Sequence, residues 1–210
     1  MLQRRVAIVA VVVVVAATLA LLVRPPLKKP GLSHELIAMQ REIDEVNVNF
    51  GSAGGRFSIS DLPEALRDRL AEARDIDLEN MNRLRPLLER YGWPSEKQVG
   101  REALHAAITV VQRAPEVAFK EFAIGLMKRA RADDSADYAR LVDIVAVTKG
   151  EPQTYGTQWT CEDGTAKPVT PVKDPARVQE LRRQVGLDQY DKFAVDLCYR
   201  GIEGEPPPPA

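Results

Sequence analysis

Residues 95–113, with the sequence SEKQVGREALHAAITVVQR, carry the clearest indication of the fold. Ser95 is a typical N-cap residue, and Gln98 three positions later completes a capping-box pattern. The helix that follows is apolar on nearly all of its sides, so neighbours must cover it all round. The sequence therefore predicts a helix in the middle of a bundle. Its apolar residues are Ala103, Leu104, Ala106, Ala107, Ile108, Val110 and Val111.

Further helices are expected on both sides of this central one. Ser33 resembles the N-cap of the first. Residues 63–91 carry apolar residues at helical spacing and form one long helix, or two in line, which Gly92 and Pro94 end. Residues 151–173 change character, because Thr, Val and aromatic residues alternate with glycine turns. The predicted fold class is mainly α: a helical bundle with a small β-hairpin or ordered loop near 151–173. The predicted helices are 33–46, 63–91, 96–113, 115–130, 135–148, 174–185 and 188–200.

A membrane anchor is expected ahead of the bundle. Val6 to Val23 is an 18-residue run in which only Thr18 is polar. As a helix it would span about 27 Å, close to the roughly 30 Å hydrocarbon core of a bilayer. We therefore expect a single transmembrane helix, an uncleaved signal-anchor. A cleaved signal peptide is the alternative, since Arg4 and Arg5 precede the run, but its length favours the anchor.

The chain is expected to divide into five parts. These are a short basic N-terminus (1–5), the anchor (6–23), a proline-rich spacer (24–32), a helical domain (33–200) and a proline-rich disordered tail (201–210). Because 29 Lys and Arg residues balance 30 Asp and Glu residues, a basic nucleic-acid-binding surface is excluded. The expected partners are the membrane, through residues 6–23, and an unidentified protein or small molecule.

The two cysteines bear on the compartment. Cys161 lies in the hairpin region and Cys198 in the last predicted helix, and in an oxidising compartment a disulfide between them would join the two. This favours a single-pass protein of the cell membrane with its C-terminal domain outside the cytoplasm. A catalytic thiol is the alternative, although no adjacent base is evident. With two cysteines and two histidines, we expect no metal site and no cofactor.

Several motifs follow one another in an order that is similar to a known pattern. They resemble an uncharacterised bacterial family, a domain of unknown function with YGWP, QH, LxDR and YGTQ segments. The resemblance covers roughly residues 33–200 and implies no established activity. This chain departs from the pattern at Arg113, where the family has His, and at Ile144, where it has Arg. The matching segments are YGWP (91–94), Gln112, LVD (141–143), GEPQTYGTQ (150–158), Arg182-Arg183 and Gly186-Leu187.

Two carboxylates are candidate catalytic groups. Asp77 falls on the apolar stripe of the long helix, and Asp143 is the single acid within LVDIVAV (141–147). Two inward carboxylates with separated pKa values could act as the acid and base of a hydrolase. Alternatively, each is a buried aspartate that pairs with an arginine or caps a loop. The enzyme requires the two groups to converge on one cleft.

Polar and aromatic residues at two places are candidates for ligand binding. One set shares a face of the central helix at i, i+4 and i+7 spacing, and the other follows Gly150 and could form a small-molecule or peptide groove. Alternatively, both sets satisfy neighbouring backbone groups or cover the bundle. We expect a binding or interaction module of the bacterial cell envelope, with the hydrolase as the alternative. The candidates are His105, Thr109, Gln112, Tyr155, Gln158 and Trp159.

Overall fold

The structure, a computed structural model, describes residues 28–46, 62–162 and 165–190. Within these ranges the chain forms seven α-helices and a two-stranded antiparallel sheet. The helices are α1 (Pro30–Val46), α2 (Glu64–Tyr91), α3 (Glu96–Val99), α4 (Arg101–Arg113), α5 (Val117–Arg129), α6 (Ala136–Thr148) and α7 (Val178–Gln184); the strands are β1 (Trp159–Glu162) and β2 (Thr165–Pro168).

Helix α4 packs against most of the bundle, as its apolar residues predict, but one face of it, with Glu102 and His105, is exposed. It contacts α1, α2, α5 and α6. The small side chains of Ala103, Ala106 and Ala107 are fully buried, which allows neighbouring helices to approach closely. Val110 and Val111 continue the same buried surface into the core that α1, α2 and α5 share.

The predicted helix 96–113 is divided into two helices at Gly100. The φ angle of Gly100 is 88°, a left-handed backbone conformation that glycine adopts at little cost. The preceding turn, α3, is capped as the sequence predicts, because the backbone N–H of Ser95 donates to Oε1 of Gln98 at 3.0 Å. Helix α3 therefore ends at Val99, and α4 begins at Arg101.

Helix α1 begins at Pro30, three residues before the predicted cap. Proline is favourable in a first helical turn, where its missing N–H needs no partner. The hydroxyl of Ser33 instead donates to the carbonyl of Val99 at 2.8 Å, and the N–H of Lys29 donates to the carbonyl of Gln98 at 2.9 Å. These bonds attach the start of α1 to α3.

The predicted transmembrane component of the fold class is wrong on the evidence of the described helices. None of those helices combines the length and the apolar character that crossing a bilayer requires. The longest, α2, has 28 residues, but charged side chains occupy its outer surface and only a stripe of it is buried. The segment 6–23 itself lies outside the described residues. The predicted single-pass membrane location and extracytoplasmic orientation are corrected with it.

The two-stranded sheet lies inside the predicted hairpin region. Strands β1 and β2 pair in register from Trp159 opposite Pro168 to Glu162 opposite Thr165. The predicted disulfide is corrected, because none is present in the described part of the chain: Cys161 pairs through its backbone with Ala166. Cys198, most of the predicted helix 188–200 and the tail 201–210 lie outside the described residues.

Candidate binding site

The carboxylate of Asp143 is buried and organises residues 153–158, here called the Asp143 loop. Asp143 projects from α6 and is fully inaccessible to solvent. It accepts hydrogen bonds from the backbone N–H groups of Thr154 (2.7 Å), Tyr155 (3.1 Å) and Thr157 (2.9 Å), and from the hydroxyl of Thr157 (3.0 Å). Successive N–H groups that converge on one anion form a backbone nest, and here the anion is the protein's own side chain.

Arg182 holds the same loop by its carbonyl groups. Its side chain, on α7, is only 1% exposed. Nη1 donates to the carbonyls of Tyr155 (2.9 Å) and Gly156 (3.0 Å), and Nε donates to the carbonyl of Asp188 (2.7 Å). Burial lowers the pKa of the Arg182 guanidinium, while the nearby charge of Asp143 opposes that effect. The loop is therefore held between a buried anion and a buried cation.

Gln153 joins the Asp143 loop to the segment that follows β2. Its side chain is fully buried, and its Nε2 donates to the carbonyls of Gln158 and Thr170, each at 2.9 Å. Its Oε1 accepts from the N–H of Gln158 at 2.7 Å. The backbone N–H of Gln153 donates to the carbonyl of Pro171, so the side chain and the backbone together fix residues 170–173 against the loop.

Gly156 brings the tip of the loop against two other segments. Its φ of 61° is in the left-handed region. A Cβ built on it would overlap Cε2 of Tyr190 and lie 3.1 Å from Cγ2 of Val172. Trp159 packs on the Tyr190 ring with 4.8 Å between ring centroids, and its Nε1 donates to the carbonyl of Gly156 at 2.7 Å. The Tyr190 ring is thus positioned by Gly156 and Trp159.

A cleft of about 490 Å³ opens on this arrangement, and we call it the proline cleft. Its walls come from the end of β2, the segment that follows it, the first turn of α7 and Tyr190. Most of the lining side chains are apolar or aromatic, with one amide, and the volume is typical of sites that take small molecules or short peptide segments. The lining residues are Pro168, Pro171, Val172, Pro175, Val178, Gln179 and Tyr190.

Asp77 belongs to a different cluster. It accepts two hydrogen bonds from Arg113 of α4, from Nε at 2.7 Å and from Nη2 at 3.1 Å. Nearby, Lys120 is 7% exposed and its ammonium donates to the carbonyl of Ala114. Burial lowers the pKa of Lys120, and the charge of Asp77 opposes that effect. The Asp77 carboxylate is therefore engaged by Arg113, and its negative charge is balanced.

The structure gives the two candidate catalytic carboxylates separate partners. The donors to Asp143 come from residues 154–157, whereas those to Asp77 come from Arg113. No residue of the described chain donates to both. Among the same residues, no group of three or more His, Cys, Asp or Glu side chains is placed to hold a metal ion.

The candidates on α4 do not line the proline cleft. His105 is exposed, and the hydroxyl of Thr109 donates back to the carbonyl of His105 at 3.1 Å, within the helix. Gln112 is half-buried near the C-terminal end of the same helix. The bond from Thr109 satisfies its hydroxyl locally.

The candidates after Gly150 are not among the lining residues of the cleft either. Tyr155 is half-buried. Burial is the main cause that raises the pKa of its phenol, and the charges of Tyr138 and Asp143 raise the pKa further. The side chain of Gln158 donates to the hydroxyl of Thr157 at 3.0 Å. Trp159 supports the Tyr190 wall, so this group shapes the site.

Sequence reasoning missed the residues that line the cleft. A signal was present, because Pro168, Pro171 and Pro175 lie within eight residues and disfavour both helix and a continuous strand. Arg182 is part of the Arg182-Arg183 motif, but the sequence alone does not distinguish a buried arginine from an exposed one. Nothing local in the sequence identifies Tyr190, since its role depends on contacts with distant segments.

Comparison with known proteins gives a family but no activity. No curated protein and no solved structure matches the chain. A model of a family of unknown function, DUF6624, matches residues 30–199, a range that contains the Asp143 loop, Arg182 and the proline cleft. The match spans well over half of the 210 residues. The chain therefore belongs to the DUF6624 family.

Proposed function

We propose that this chain is a peptide-binding module, and that the proline cleft takes an extended, proline-containing segment of a partner protein. The single observation that carries the proposal is the cleft itself, an open, mainly apolar cavity of about 490 Å³ whose walls are held by buried polar contacts. Such a cavity is suited to binding a ligand, because walls that are already fixed lose little conformational entropy when the ligand binds.

The chemistry of the lining favours a polyproline II segment. Pyrrolidine rings pack well against flat apolar faces, and the cleft offers the rings of three prolines and of Tyr190. A polyproline II ligand is already extended in solution and loses little conformational entropy when it binds. Its free carbonyls need donors, and Gln179 supplies an amide at the edge: its Oε1 accepts from the N–H of Tyr190 at 3.1 Å, and its Nε2 carries the donors.

Contacts within the protein fix the walls of the cleft before any ligand binds. Tyr190 is positioned by Trp159 and Gly156, and the Arg182 guanidinium carbon lies 5.8 Å from the centre of its ring. Val172 is held by the backbone bonds of Gln153 to Pro171 and Lys173. Val169, which directly follows the lining residue Pro168 in the chain, is 48% exposed.

The hydrolase alternative has less support. It needs Asp77 and Asp143 to converge, and their hydrogen-bond partners lie on different elements. It also needs a carboxylate that can exchange a proton with substrate. Asp143 is fully buried and accepts four donors from its own loop.

Tryptophan fluorescence provides the test. The chain has two tryptophans, and Trp159 packs on the cleft residue Tyr190 whereas Trp93 is buried in the helical core. Decaproline, with a Gly-Ser decamer as control peptide, is titrated into the full chain. We expect a saturable change with decaproline alone.

Two matched variants locate the binding. Val172→Asp places a charge in the cleft and should weaken decaproline binding at least about tenfold. Leu78→Asp places the same charge at another exposed apolar position, on α2, and should leave binding unchanged. The proposal is overturned if Val172→Asp binds as tightly as the wild type, or if an apolar dye enters the cleft and decaproline does not.

A further inference from the structure

We infer that residues 205–210 of the same chain, Glu-Pro-Pro-Pro-Pro-Ala, are a ligand of the proline cleft in cis and compete there with the partner segment. The inference rests on the proposed function. It assigns the cleft a second occupant of defined sequence, so that binding of a partner depends on displacing it.

The chemistry of this segment matches the cleft. Four consecutive prolines strongly favour polyproline II, the conformation that the apolar walls suit. Glu205 directly precedes the prolines, and Lys173, which directly follows the lining residue Val172, is exposed. With the prolines bound in the cleft, the carboxylate of Glu205 could therefore be attracted by the ammonium of Lys173.

The connection is long enough to bring the segment back. Tyr190 forms a wall of the cleft, and Pro206 is 16 residues further along the chain. The 15 residues between them, 191–205, could span at most about 50 Å at roughly 3.3 Å per residue. This length of chain is more than enough for residues 206–209 to turn back to the cleft, which Tyr190 itself borders.

Attachment makes even a weak ligand effective. A segment joined by a short connection experiences an effective concentration on the order of millimolar. The prolines of residues 206–209 would then occupy the cleft even with an intrinsic dissociation constant of about 0.2 mM, so that a separate peptide of the same sequence binds only at high concentration. A partner must bind more tightly, or offer a longer proline segment, to displace them.

The test compares decaproline binding to two full chains by Trp159 fluorescence. One is the wild type, and in the other all four prolines 206–209 are replaced by serine. As a matched control, Pro25→Ser with Pro26→Ser removes prolines from the spacer at the other end of the chain. We expect the four-serine chain to bind decaproline at least about fivefold more tightly than the wild type, and the spacer variant to bind like the wild type.

The outcomes separate the inference from the proposed function. Equal, saturable binding by the wild type and the four-serine chain overturns the cis ligand and leaves the peptide-binding function standing. Absence of binding by the four-serine chain removes both. As a second measurement, a synthetic peptide of residues 201–210 should bind the four-serine chain, and the same peptide with serine in place of its prolines should not. Failure of the first peptide to bind at concentrations up to about 1 mM also overturns the inference.

Discussion

Asp143 and Arg182 bind opposite polar groups of one short loop. The carboxylate of Asp143 accepts the N–H groups of residues 154, 155 and 157, and the guanidinium of Arg182 donates to the carbonyls of residues 155 and 156. Both side chains are almost completely buried. The peptide units between them are polarised in the direction that each charge favours, so the loop, and with it Gly156 beneath Tyr190, is held in one conformation.

Replacement of Asp143 should destabilise the fold strongly. Asp143→Asn puts an NH₂ group among groups that all donate, so at least one buried donor loses its acceptor. We expect the free energy of unfolding to fall by about 3 kcal/mol, measured by urea denaturation. The control is Asp137→Asn on the same helix, where the carboxylate is partly exposed and pairs with Arg140 at 3.1 Å. That change should cost less than about 1 kcal/mol.

Asp143 and Arg182 should be energetically coupled through the loop. If Asp143→Asn already weakens the fixed conformation of residues 154–157, the loss of the Arg182 hydrogen bonds to the same loop costs less free energy than it does in the wild type. In a double-mutant cycle with Arg182→Met, we expect the combined loss to be smaller than the sum of the single losses by about 1–2 kcal/mol. Strict additivity would show that the two residues stabilise the fold independently.

Gly156→Ala tests the contact between the loop and Tyr190. The added Cβ must adopt an unfavourable positive φ and must also displace the Tyr190 ring. Gly150 is a matched control, because its φ is 71° and nothing lies within 4 Å of the Cβ position. We expect Gly150→Ala to cost about 1–2 kcal/mol in unfolding free energy and Gly156→Ala about 1–3 kcal/mol more. Equal losses would argue against the packing described for Tyr190.

Lys120 should give the stability a characteristic dependence on alkaline pH. Burial lowers its pKa from the ordinary 10.5 in the folded chain, so between the lowered value and 10.5 the unfolded chain binds a proton that the folded chain does not. The contribution of Lys120 to the free energy of unfolding therefore rises with pH across that window. Below the window, at neutral pH, the full cost of burying the ammonium is present.

The variant Lys120→Met isolates this effect. The quantity to compare is the free energy of unfolding of the variant minus that of the wild type. This difference should be largest at pH 7, where the wild type carries the full cost of the buried ammonium, and should become smaller as the pH approaches 10.5. Urea denaturation at both pH values measures the difference, with Lys128→Met, at an exposed position near the end of the same helix, as the control. A difference that is independent of pH would contradict the burial of a titrating ammonium near Asp77 and Arg113.

Much of the helical architecture can be predicted because it depends on residues close together in the chain. The apolar residues of α4 recur on most of its sides, and that pattern alone favours a position in contact with several other helices. The start of α1 and the break at Gly100 could not be predicted as well. They depend on contacts between α1 and α3 and on a left-handed glycine.

The candidate site also has one part that the sequence predicts and another that depends on tertiary contacts. The sequence alone marks Asp143 as a buried polar residue that needs partners, because no other acid lies within its apolar segment. The identity of those partners is a tertiary property: the loop donors begin 11 residues downstream and Arg182 lies 39 residues downstream. The cleft likewise combines β2, the segment after it, α7 and Tyr190. Hydrogen bonds and packing act over a few ångströms, so only the folded chain decides which distant residues share a site.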